Sequence, residues 1–101
     1  MTFDEAFIRL AGNEDLDLER DKALYKRDYW GPAGCEGVPA SIKFLLFDLA
    51  VTHGVETAIR ALQHAAGVTQ DGILGPRTLQ AVQAMPADHL LFRFTAARFV
   101  A

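Results

Sequence analysis

Residues 39–53, PASIKFLLFDLAVTH, are apolar around nearly the whole circumference of a helix: Ile42, Phe44, Leu45, Leu46, Phe47, Leu49, Ala50 and Val51 leave no wet stripe. A helix of this kind must be covered on most of its sides. In a chain of 101 residues, one core is all that the length supports. The segment is therefore predicted to be the central helix of a single bundle. Pro39 suits its first turn and Gly54 ends it. It is not a membrane span, because Asp48 interrupts Phe44–Val51 and a span needs roughly 18 apolar residues.

The remaining punctuation is helical too. Thr2 and Glu5 have the spacing of a capping box, and Phe3, Ala6, Phe7, Leu10 and Ala11 follow at helical period up to a Gly12-Asn13 stop. A second helix is predicted from about Asp17, its N-cap, to Trp30, with a charged face and with Leu18, Leu24, Tyr25, Tyr29 and Trp30 left to pack. Gly31-Pro32 ends it and opens the loop GPAGCEGVP. A fourth helix, Val55 to Ala66, turns Ala58, Ile59, Leu62 and Ala65 inward and is capped by Gly67. The turn VTQDGILGP follows. A fifth helix then runs from Pro76 to about Ala84, with Leu79 and Val82 inward. Past Pro86, Asp88 is expected to cap a sixth helix whose packing residues are Leu91, Phe92, Phe94, Ala97 and Phe99. The prediction is an all-α, single compact bundle of five or six helices.

Charge narrows the function. The net charge is −3, and the whole excess lies in residues 1–31, with five Lys/Arg against eight Asp/Glu. That argues against nucleic acid and against an anionic membrane as partner. Asp4, Glu5 and Arg9 break any signal peptide, so a cytoplasmic location is expected unless release is by lysis or a holin-type route. The single Cys35 reads as a free loop thiol. His53, His64 and His89 form no ligand pair, so no metal or other cofactor is expected. Paired carboxylates are the remaining route to hydrolysis, with Glu14, Asp15 and Asp17 in GNEDLD as candidates; clustered acids at a helix start also serve simply as a cap.

Two stretches carry a family resemblance: ALYKRDYW, residues 23–30, and FDLAVTHGVETAIRALQHAAGVTQDGILGPRTLQAV, residues 47–82. In this order they resemble the bacterial and phage muramidases of glycoside hydrolase family 108, the secretion-activator proteins. That family carries IYxxxYW followed by LFDxAVNxG…A…LQxALGVxxDGxxGPxTL. The LQ…G…DG…GP.T part is shared with other helical peptidoglycan-binding modules. The resemblance implies a fold like the C-terminal lobe of a lysozyme-like muramidase. It divides the chain into residues 1–22, a remnant of the muramidase N-terminal region, and 23–101, a peptidoglycan domain.

FDEAFIRLAGNE, residues 3–14, looks like the opening helix of that family, which places Glu14 at the catalytic acid. The family continues with Gly-Gly and a segment containing DPGGxTxxGI; here Asp15-Leu16-Asp17 follows and a helix begins at once. The stretch that would wall the substrate cleft is missing. A general acid must be shielded to hold its proton at neutral pH, and an unwalled glutamate is ionised there. The resemblance thus implies a peptidoglycan-associated, endolysin-like domain that binds cell wall rather than cutting it. Two alternatives stand beside it: a phage or mobile-element protein reusing the scaffold to bind a host protein, and an active lysozyme-type hydrolase with Glu14 as general acid. For binding, the GVTQDGILGP corner with Asp71 and Gly72 is expected to act together with the aromatic end Tyr29-Trp30. From the residues alone, Gly67, Gly72 and Gly75 permit turns, Asp71 fits an Asx turn, Leu62 and Leu79 clamp two helices, and Tyr29 and Trp30 also suit a core.

Overall fold

The computed structural model describes residues 1–11 and 18–98. Six α-helices are present among them: α1 (Phe3–Ala11), α2 (Leu18–Tyr25), α3 (Ala40–His53), α4 (Val55–Ala66), α5 (Pro76–Ala84) and α6 (Ala87–Arg98). No strand occurs among the described residues. The predicted Gly12-Asn13 stop, the Asp17 cap, Glu14 and Phe99 lie outside the described residues.

The capping box forms. Glu5 N donates to Thr2 Oγ1 at 3.2 Å, and Thr2 N donates back to Glu5 Oε1 at 3.3 Å. The helix it starts buries Phe3, Ala6 and Phe7, one stripe at spacings of three and four.

The second helix changes its winding. The α-helical part ends at Tyr25, and Lys26–Trp30 continue as a π segment closed by Gly31 N donating to Lys26 O at 3.0 Å, a five-residue span. The wider turn brings Tyr25, Tyr29 and Trp30 toward the same side. Their rings form a cluster with Phe3, Phe7 and Phe47, with centroid separations of 5.4 Å for Phe3–Trp30, Trp30–Phe47 and Phe7–Tyr25. Most of these pairs meet edge to face, the favoured arrangement of aromatic quadrupoles. The cluster joins α1, the end of α2, the π segment and α3.

α3 is the centre, as its sequence predicts. Ile42, Leu46, Phe47, Leu49 and Ala50 are buried, and the helix packs against α1, the π segment, α4, α6 and the 3₁₀ turn Cys35–Gly37. Pro39 stands at its N-cap, and Gly54 ends it at φ +96° with its N–H on Ala50 O. Lys43 Nζ donates to the carbonyls of Cys35 and Glu36 at 2.9 and 3.1 Å, which fixes the loop over the first turn of α3.

α4 and α5 have the predicted bounds. α6 differs in its inward face. Leu90, Phe94 and Ala97 are its buried stripe, whereas Phe92 is 74% exposed. A helix period carries Phe92 about half a turn away from Leu90, so the apolar run does not all face inward. Asp88 is not the cap: it stands inside the first turn, its carboxylate accepting from His89 N at 2.8 Å.

Candidate functional site

The turn between α4 and α5 is organised by one buried amide. Gln63 is only 1% exposed on the otherwise apolar face of α4, among Ala58, Ile59, Ala61, Leu62, Ala65 and Ala66. Its Nε2 donates to Asp71 Oδ1 (2.8 Å), Ile73 O (3.0 Å) and Thr78 Oγ1 (3.1 Å), and its Oε1 accepts from Gly72 N (3.0 Å). Two N–H hydrogens serve three acceptors, so one is shared, and the carbonyl oxygen is satisfied as well. A buried amide is stable only when paired in this way. Gln63 thereby ties α4 to the turn and to the first turn of α5.

Asp71 completes the corner. Its Oδ1 also accepts from Ile73 N at 2.9 Å, the Asx turn that the sequence suggests. The Ile73 amide, with the Gln63 amide behind it, holds the Asp71 carboxyl below the usual aspartate range. Gly72 sits at φ +75°, and a Cβ there would stand 2.8 Å from Glu56 Cγ. The left-handed backbone conformation favours glycine there, and a side chain would in addition push the exposed Glu56 aside. Arg60 braces the outside, donating to Gln70 O at 2.7 Å and pairing with Glu56 at 3.0 Å.

Beside this corner lies a groove of about 270 Å³. Val68, Ile73 and Pro76 supply apolar wall, and Thr69, Asp71 and Arg77 supply polar groups. Ile73 is 67% exposed at its edge. Arg77 has no hydrogen-bond or ion-pair partner among the described residues.

The sequence-predicted residues fare differently. Asp71 and Gly72 are at the corner. Trp30 is 1% exposed, flanked by Phe3 and Phe47, with its indole N–H donated to Glu36 Oε1 at 2.6 Å. Tyr29 is half-buried against Tyr25. Neither ring lines the groove. What reaches the corner from that end is the loop after Trp30: Gly34, at φ +77°, leaves room for the Leu74 side chain, and a Cβ at Gly37 would meet Leu79 Cδ2 at 3.0 Å. Leu62 is buried and Leu79 half-buried between these parts. Cys35 is buried, and burial pushes its thiol up to about 12. His53 and His64 are exposed, with ring nitrogens near Thr52 Oγ1 (2.8 Å) and Gln70 Nε2 (3.0 Å). Among the described residues no three His, Cys, Asp or Glu side chains gather where they could hold a metal ion.

The Gln63 network explains a spacing. The glutamine of LQ, the DG pair and the threonine of GPRT are the residues that bond one another, and residues 47–82 match the model of a putative peptidoglycan binding domain. The glycosyl hydrolase 108 model matches residues 4–54, half of the chain. The chain belongs to the glycosyl hydrolase 108 family. A solved structure of SagA from Brucella abortus is similar over 83% of this chain, with 32% identity and a TM-score of 0.76. This chain spans about half of that protein, 48% of its length. None of the curated proteins searched matches it. The two family matches meet in residues 47–54, the second half of α3. The buried central helix thus joins the hydrolase-family region to the peptidoglycan-domain region.

Sequence reasoning gives Gln63 no role of its own, and Arg77 and Thr78 none either. A signal for Gln63 is present: a lone amide in the inward stripe of α4, eight residues before Asp71 and fifteen before Thr78. A buried glutamine demands partners, and those two residues are the ones within reach.

Proposed function

We propose that this member of the family binds peptidoglycan through the groove at the Gln63 corner and does not cleave it. The observation that carries the reading is the coincidence of the peptidoglycan-domain match with a rigid corner flanked by a groove of mixed apolar and polar walls. Binding sites need such convergent polar groups beside apolar surface. The sequence supports the second half of the reading. Between the family's opening helix and α2 only residues 12–17 remain, with no segment of the DPGGxTxxGI kind to wall a cleft beside Glu14. A muramidase has to shield its acid and hold several sugars, and six residues provide little wall for either.

Turbidity of susceptible cell walls tests the catalytic half. Suspensions treated with the protein are expected to stay as turbid as untreated ones. Clearing that disappears in Glu14→Gln would establish hydrolysis with Glu14 as the acid.

A further inference from the structure

We propose that the groove takes the peptide stem of peptidoglycan, not its sugar chain, with Arg77 holding a stem carboxylate; this rests on the wall-binding reading above. Peptidoglycan offers two chemistries. The glycan strand is largely neutral and presents sugar faces, which aromatic rings recognise best. The stem peptide presents free carboxylates, the amine of its diamino residue, amide groups and small methyl side chains.

The groove fits the second set. Among the described residues no aromatic ring lines it, and Tyr29 and Trp30 belong to the core cluster. Its apolar walls are the aliphatic Val68, Ile73 and Pro76, suited to methyl groups. Its polar groups include both signs of charge. Arg77 stands on the rim with no described protein partner, and a guanidinium is the side chain best shaped to grip a carboxylate in two parallel hydrogen bonds. Asp71 uses Oδ1 for both of its inward bonds, from Gln63 and Ile73, which leaves Oδ2 to accept from a stem amine or amide. A groove of about 270 Å³ stands at the small end of ligand pockets, room for a short peptide segment rather than several sugar rings. The Gln63 network holds Asp71, Ile73 and Thr78 in place before any ligand arrives, so on that side of the groove little ordering is left to oppose binding.

The experiment measures retention of the whole chain on two immobilised materials, intact sacculi and the glycan strands that an amidase frees from them, because glycan without its peptide cross-links no longer sediments. Intact sacculi are expected to retain the protein, with retention at least about tenfold weaker on stripped glycan. Arg77→Gln should weaken retention on intact sacculi by about tenfold, the scale of one charge-assisted contact, while its melting temperature stays that of the wild type. A soluble stem tetrapeptide should compete, and its C-terminally amidated form should compete less. Equal retention on stripped glycan, or undiminished retention of Arg77→Gln, would overturn the peptide assignment and leave wall binding standing. Absence of retention on either material would overturn both.

Discussion

Replacing Gln63 by Leu keeps the volume and removes every bond that the amide makes. Gly72 N–H and the Ile73 carbonyl would lose their described partner. A loss of roughly 1–3 kcal/mol is expected, the usual cost of leaving such groups unsatisfied, and chemical denaturation of Gln63→Leu measures it. Asp71 makes a pH prediction. Its pKa is lowered in the folded state by the Ile73 amide and the Gln63 amide, so the ionised form favours folding. That contribution is present above the unfolded value of about 3.9 and is lost as pH falls through the lower folded value. Melting temperature followed down through this acid range should fall less steeply in Asp71→Asn than in the wild type. Cys35 should be inert: with its thiol pushed up to about 12 and no exposure, a thiol reagent at neutral pH is expected to label it only after denaturant is added. Rapid labelling of the native protein would contradict its placement. Asp71 is legible in the sequence because DG turn chemistry is local. Gln63 is not, because its bonds depend on bringing α4 against the start of α5.

At the scale of elements, α3, α4 and α5 are read from the sequence almost to the residue, since proline and glycine mark their ends by backbone geometry alone. Two features escape the same reasoning. The π segment does so because period analysis assumes a constant 3.6-residue turn, and only packing on Phe3 and Phe47 makes a wider turn worthwhile for Trp30. Phe92 escapes because an apolar run does not reveal which of its members faces out when the stripe is Leu90, Phe94 and Ala97. The central role of α3 has a direct test. Leu46 is fully buried in the middle of that helix, so Leu46→Ala should cost about 2–5 kcal/mol in urea unfolding, as buried leucine truncations do. A loss of a few tenths would mean that α3 is not the core.

For the whole molecule, one helix bundle carries two family signatures that meet in α3. The aromatic cluster rests on α3 through Phe47, and the Gln63 corner is built on α4, which packs against α3. The candidate residues divide accordingly: Tyr29 and Trp30 pack in the aromatic cluster, Asp71 lines the groove, Gly72 stands in the turn held by Gln63, and Glu14 lies outside the described residues. Binding without cleavage is the central claim. Its most direct test is a single incubation of the protein with purified sacculi, followed by centrifugation and assay of both fractions. The account predicts protein in the pellet and no new reducing ends in the supernatant. Protein left in the supernatant, or reducing ends released by it, would contradict the account.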